Sequence, residues 1–300
     1  METVKVDYAP EGVDFYYIYK PLAHPEFNNY VVPVNLDERL MHIEEAKRVL
    51  GSSITWLSDT MDNVWHDVMA NTPNSELILD PDGRVVVRRT WSDPVALRQD
   101  LERLVGAVDH PTSIADLDLP AQSRMPTVAK GVVPRVELPP TMASIQVDPD
   151  LESTNIPFYV KIRAEADREL LQNGAGTMYL GFHLDPLYDV HWNNEAGPVR
   201  FNFSVPDGVT MTPSSGVGPD VEEPADADPR EFLLQVDARE LEEPIGLEVF
   251  YFACDDALTF CIPVTQNYQI HIERDNHGRT IRTGADNQPI MGRRPPPPTS

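Results

Sequence analysis

The chain has 300 residues, 48 acidic against 24 basic side chains, 29 prolines and two cysteines. A net charge of −24 argues against a nucleic-acid partner, which needs a basic face, and two cysteines are too few for a disulfide scaffold or a four-thiolate zinc site. The length suits about two domains of roughly 150 residues each, no run approaches the ~18 apolar residues of a membrane span, and the opening METVKVDYAP has neither the basic nor the apolar region of a signal peptide.

Residues 1–110 carry 10 basic and 19 acidic side chains and alternate strand with helix. Val13 to Tyr19 (VDFYYIY) is a β-branched and aromatic run that predicts a strand covered on both faces. A helix follows, with Asn35 as N-cap, Glu38 three residues on, Leu36, Leu40, Ile43 and Leu50 at helical spacing, and Gly51 closing it. Ile54 to Leu57 reads as a short strand and Asn63 to Met69 as a short helix. Glu76 to Leu79, the turn Asp80-Pro81-Asp82-Gly83 and Arg84 to Arg89 predict a β-hairpin. A last helix runs from about Asp93, with Pro94 at its first position, to Val105 before Gly106. The order is βαβαββα.

Residues 111–145 hold six prolines (Pro111, Pro120, Pro126, Pro134, Pro139, Pro140) and balanced charge, as expected of an extended, semi-rigid linker. Residues 146–275 carry 7 basic and 25 acidic side chains, with short alternating segments at Phe158 to Ala164, Thr177 to Leu184, Val199 to Val205, Glu231 to Val236, Ile245 to Ala253 and Thr265 to Glu273. Turn residues separate them, so the block predicts an antiparallel β-sandwich. Pro219 to Pro229 (PDVEEPADADP) is expected to be a long, solvated surface loop, since its acids lack EF-hand spacing. Residues 276–300 end in RRPPPPTS and read as a disordered tail. The fold class is therefore an α/β domain followed by an all-β domain.

Cys254 and Cys261 lie in YFACDDALTFCIPVTQNYQIHIE, at a strand edge and across a short turn. This placement is consistent with a cross-turn disulfide, whose α-carbons must come within about 7 Å. No zinc signature surrounds the pair, and in a reducing cytosol such cysteines would more often be free or metal-linked. Asp255 and Asp256 beside Cys254 disfavour a thiolate. Two uses stay open: thiol–disulfide exchange, or an inert staple between strands.

Several motifs of the first block carry a family resemblance: the strand ending at Tyr19 followed by Ala23-His24-Pro25, the run Asp59-Thr60-Met61-Asp62-Asn63, Thr72-Pro73 before the strand at Glu76, and Asp82-Gly83-Arg84-Val85. Together they resemble the thioredoxin-fold superfamily, and within it the iodothyronine-deiodinase-like branch. Leu22 stands where that family has glutamate, and Asn74-Ser75 where it has glutamate-arginine. The resemblance implies that Pro73 is the cis-proline opposite the nucleophile, that Thr72 and Pro73 contact substrate or partner, and that His24 donates a proton or contacts substrate. It also implies a reactive cysteine or selenocysteine ahead of a helix whose last turns are Met1 to Ala9. The expectation is thus a thioredoxin-like unit lacking one strand and its nucleophile, in a natural polypeptide extending beyond Met1, with a selenocysteine codon read as a stop. The alternative is a degenerate fold that has lost its redox site.

The second block has its own matching features: Trp192-Asn193-Asn194 with Gly197, Val205-Pro206-Asp207-Gly208, Tyr251 to Cys254, and Cys261-Ile262-Pro263. They resemble the N-terminal, immunoglobulin-like domain of the DsbD family of thiol:disulfide interchange proteins. That resemblance assigns catalytic roles to Cys254 and Cys261, which would relay two electrons, although the family's intercysteine stretch is shorter. The two resemblances together imply a periplasmic or otherwise extracytoplasmic oxidoreductase. Its partner would be a thioredoxin-like protein or a membrane electron donor, with no organic cofactor, no metal site, no nucleic acid and no membrane span. The competing expectation is a noncatalytic partner-binding module with a structural disulfide.

Overall fold

A computed structural model of the chain describes residues 1–22, 30–69, 72, 74–119, 128–139, 142–239, 241, 243–255 and 259–275. The expected tail, residues 276–300, lies outside them. The chain divides into one unit of Met1–Leu22 with Pro33–Met125 and a second of Ala23–Val32 with Pro126–Ser300. No helix among the described residues is long and apolar enough to cross a membrane.

The first unit runs α1 (Glu2–Tyr8), β1 (Tyr16–Tyr19), α2 (Leu36–Leu50), β2 (Thr55–Ser58), α3 (Val64–Met69), β3 (Glu76–Leu79), β4 (Val85–Arg89) and α4 (Pro94–Leu104). Val4 and Tyr8 lie one helical turn apart on α1, as do Leu97 and Leu101 on α4, and the four side chains form one buried cluster. The Asp7 carboxylate clasps the same helices: it pairs with Arg98 and accepts the Thr112 N–H at 3.1 Å. β1 and β2 are parallel, with Tyr16 opposite Thr55 and α2 as the crossover. β3 and β4 form the expected hairpin; Gly83 takes φ +80°, and Asp80 Oδ1 accepts the N–H groups of Asp82 and Arg84 at 3.0 and 2.8 Å. Among the described residues β1 pairs only with β2 and β3 only with β4.

Two expectations for this unit need correction. The run predicted as a doubly covered strand from Val13 is a strand only from Tyr16, and Tyr16 is 57 % exposed. Its partner β2 spans just four residues, so the ladder has nothing further to pair with. On α2, the Asn35 cap forms, accepting the Glu38 N–H at 2.9 Å, but the leucine stripe does not face the core. Leu36, Leu40 and Leu50 are exposed, while Glu38, Arg39, His42, Ile43 and Glu45 are buried. Hydrogen bonding sets this orientation: the Arg39 guanidinium donates to the carbonyls of Asp59 at 3.0 Å and Thr60 at 2.6 Å and to Asn63 Oδ1 at 2.5 Å, and His42 Nδ1 lies 2.9 Å from the Tyr19 hydroxyl.

The second unit contains β5 (Ala143–Pro149), β6 (Val160–Ala166), α5 (Arg168–Asn173), β7 (Ala175–Leu184), β8 (Val190–Asn193), β9 (Arg200–Ser204), β10 (Thr210–Thr212), β11 (Ser215–Val217), β12 (Ala225–Asp226), β13 (Arg230–Asp237), β14 (Ile245–Asp255) and β15 (Cys261–Arg274). They form one large antiparallel sheet in the order β10-β13-β7-β6-β5-β15-β14-β8-β12, with β9 beside β14 and β11 beside β9. β5 joins its halves, pairing Ala143 with Ala166 on β6 and Val147 with Ile270 on β15. The halves face each other. Phe182 on β7 meets Phe201 on β9 with ring centroids 5.6 Å apart, and the Tyr268 hydroxyl on β15 donates to the Val160 carbonyl on β6 at 2.9 Å. Alternation fills the core: Met178, Leu180 and Phe182 from β7, and Ile245, Leu247, Val249, Tyr251 and Ala253 from β14, are all buried.

The acidic stretch Pro219 to Pro229 is not solvated throughout. Asp226 is fully buried beneath Arg230, which donates to its Oδ1 at 2.9 Å and Oδ2 at 2.7 Å while lying 5.1 Å from the Trp192 ring centroid. Nor is the second half of the proline-rich segment a free linker. The Gly131, Val132 and Val133 N–H groups donate to the Asp228 carboxylate at 2.7 to 2.9 Å, and Arg135 grips Glu231 through two 2.7 Å bonds. A free linker leaves its N–H groups to water; here the carboxylates of Asp228, between β12 and β13, and of Glu231 on β13 take them.

Candidate functional site

β14 and β15 form a hairpin whose register runs without a break from Ile245 opposite Ile270 to Cys254 opposite Cys261. Directly opposed residues of an antiparallel pair project on the same face. The two cysteines therefore meet at the hairpin's end, with α-carbons 4.0 Å apart, and form a disulfide. Their exposure differs: Cys254 is 3 % exposed, whereas Cys261 is open to solvent.

The turn that delivers Cys261 is organised by Asp255. Its Oδ1 accepts the N–H groups of Thr259 at 2.6 Å and Phe260 at 2.9 Å, and its Oδ2 the Thr259 hydroxyl at 2.5 Å. Burial works to raise this carboxyl, but the hydrogen bonds from Phe260 and Thr259 outweigh it and hold the group below its ordinary value. Asp255 therefore stays ionised beside Cys254 while its oxygens hold the turn.

On its other side β14 pairs with β8, which sets His191 directly opposite Cys254. Two residues on, Asn193 shares that face and its Nδ2 lies 3.3 Å from Cys261 Sγ. The row His191, Cys254, Cys261 crosses three strands. Phe260, the residue before Cys261, packs on Tyr159 and Tyr159 on Tyr188, with centroids 5.9 and 5.1 Å apart. The arrangement offers one exposed cysteine, one buried cysteine and a side-chain amide on the sulfur of the exposed one.

A second polar cluster lies on the β13-β7-β6 part of the sheet. Tyr179 and His183 flank Gly181 on one face of β7; a Cβ on Gly181 would lie 2.3 Å from the Tyr179 hydroxyl oxygen and 2.8 Å from His183 Nε2. The Tyr179 hydroxyl donates to Glu231 Oε1 at 2.7 Å, on the carboxylate that Arg135 holds. Burial would raise Glu231, but its hydrogen bonds and charge interaction with Arg135 hold it below the usual carboxylate range. Burial, reinforced by the Arg163 and Arg135 charges against a weaker opposing pull from Glu231, pushes His183 down to about 3. His183 is therefore neutral at physiological pH, and the cluster ties the segment around Arg135 to the sheet.

Of the site residues expected from the sequence, Cys254 and Cys261 come together. Thr72 lies in the first unit, where its carbonyl accepts from Lys20 Nζ. His24 and Pro73 lie outside the described residues. Sequence reasoning assigned no role to His191, Asn193, Tyr159, Tyr188 or Phe260. Asn193 alone left a signal, as part of the Trp192-Asn193-Asn194 run that carries the second resemblance. No protein-family model matches the chain, and no curated protein or solved structure matches it significantly.

Proposed function

We propose that the chain is an extracytoplasmic thiol–disulfide exchange protein, with a thioredoxin-like, deiodinase-like unit joined to a DsbD-like, immunoglobulin-like β-domain whose Cys254–Cys261 bond carries two electrons. The observation that carries the reading is the asymmetry of the pair, Cys261 exposed and Cys254 buried, at the end of the β14–β15 hairpin. Exchange needs an incoming thiolate to reach one sulfur in line with the bond, and only Cys261 offers that access.

A partner thiolate attacks Cys261 Sγ, the Cys254–Cys261 bond breaks, and Cys254 leaves as a thiolate that takes a proton. The partner's second thiolate then attacks the partner sulfur of the mixed disulfide and releases Cys261. The partner dithiol loses two electrons and becomes a disulfide; the chain gains them and becomes a dithiol. A disulfide in place suits an oxidising compartment, which supports the extracytoplasmic assignment. For the first unit, the reading is supported by the order helix, strand, helix, strand, helix, hairpin, helix, with α1 and α4 packed together.

The test is reduction of the intact chain by a reduced thioredoxin-like dithiol protein, followed by mass increments after alkylation. Two added alkyl groups within minutes at micromolar partner are expected. A bond that survives such a partner and yields only to millimolar dithiothreitol under denaturing conditions is a staple, and the exchange reading fails.

A further inference from the structure

We propose that Asn193 is a catalytic residue of this exchange centre, its side-chain amide donating to Cys261 Sγ and stabilising the thiolate that this sulfur becomes. The proposal rests on the exchange reading above.

Three contacts carry it. Asn193 Nδ2 lies 3.3 Å from Cys261 Sγ. Asn193 Oδ1 accepts the Ala196 N–H at 2.9 Å, which settles the orientation of the amide: its oxygen is committed to the turn, so the group facing the sulfur is the NH2, a donor only. The Asn193 carbonyl accepts the Gly197 N–H at 3.3 Å, so the backbone behind the amide is tied to the same turn. The neighbouring Asn194 cannot substitute, because its amide donates to Asp226 Oδ2 at 2.8 Å and to the Glu223 carbonyl at 2.7 Å.

A disulfide sulfur is a weak acceptor and a thiolate a strong one, so the same N–H stabilises the reduced, ionised state far more than the oxidised state. In a chain of net charge −24 a neutral donor supplies what a lysine supplies elsewhere. The benefit falls on two events. When the mixed disulfide resolves, the electron pair of its S–S bond leaves on Cys261 Sγ, which faces the Asn193 donor. When the reduced chain attacks an oxidised partner, the donor raises the fraction of Cys261 present as thiolate.

The test uses the full chain carrying Cys254→Ala, so that Cys261 is the one thiol, with Asn193 intact, Asn193→Ala or Asn193→Asp. The aspartate keeps an oxygen for the Ala196 N–H and so keeps the turn, but sets a carboxylate oxygen against the sulfur. The readout is the pH profile of iodoacetamide alkylation. The midpoint is expected to rise by about one pH unit in Asn193→Ala, a tenfold loss of reactivity near neutrality, and further in Asn193→Asp. Restoring Cys254, each substitution is expected to slow reduction by a dithiol protein about tenfold. An unshifted midpoint in both variants, in a chain that does exchange, overturns the role of Asn193 and leaves the exchange reading standing. A chain that no dithiol protein reduces overturns both.

Discussion

Lowering the pH from 7.5 to 5.0 will destabilise the second unit through His183. The ring faces the Tyr179 hydroxyl at 3.5 Å, with Arg163, Arg135 and Glu231 around it and Lys161 opposite in register on β6. Its ordinary value of 6.5 falls to about 3 in the folded chain. Below pH 6.5 the unfolded chain binds a proton here that the folded chain refuses, so acidification favours unfolding. At pH 5.0 the loss is about 1.5 pH units times about 1.4 kcal/mol, or roughly 2 kcal/mol. Urea denaturation of the wild type and of His183→Gln at both pH values isolates this share. The substitution has its own cost at each pH, but only the wild type carries the titrating ring. The wild type is expected to lose about 2 kcal/mol more than the variant. Equal losses in the two proteins would refute a buried, neutral His183.

Arg230→Leu leaves the Asp226 carboxylate buried without its guanidinium, and a loss of about 3–5 kcal/mol in urea denaturation is expected; a loss under about 1 kcal/mol would mean that water reaches the carboxylate. With Cys254→Ser the open Cys261 keeps a captured partner in a mixed disulfide, whereas Cys261→Ser leaves only the shielded Cys254 and should trap little; equal yields on non-reducing gels contradict the assignment of Cys261 as the attacked sulfur. Gly83→Ala places a Cβ at φ +80°, and the first unit should lose about 1–2 kcal/mol; an unchanged urea midpoint would mean that the turn relaxes.

What could be read from the chain was what depends on neighbours in sequence. The alternation in Met178, Leu180 and Phe182 and in Ile245 to Ala253 located β7 and β14, and the Asn35 cap, the start of α4 at Pro94 and the Asp80 to Gly83 turn formed as expected. What escaped depends on distant partners. β5 was missed because it straddles the end of the proline-rich segment, so that the short alternation Ile145-Gln146-Val147-Asp148 was split at its first residue, yet its pairing with both β6 and β15 is what joins the halves of the sheet. Asp226 looked like one acid among many, and only Arg230 makes it an interior residue. The buried face of α2 is set by carbonyls near Thr60, not by its leucines. At the candidate site, the cysteines announced their bond through the turn between them. The asymmetry of exposure and the contact from Asn193 arise from the placement of β8 beside β14, which no local pattern encodes.

Four of the displaced ionisations share one direction but not one range. Asp7, Asp226 and Glu231 are each held below the ordinary carboxylate value because hydrogen bonds and arginines outweigh burial. A carboxyl whose folded value is depressed contributes stability above its unfolded value and loses it as pH falls through the folded one, so these three act only below about pH 4.5. His183 is depressed for the opposite reason: burial disfavours its charged form, and its penalty begins at 6.5, where the unfolded ring starts to protonate. Of these four groups, then, only His183 responds between pH 6.5 and about 4.5. Below that range the stability contributed by the three carboxylates begins to be lost, Glu231 and its clasp on Arg135 included, so acid weakens the second unit first through His183 and then through its carboxylates.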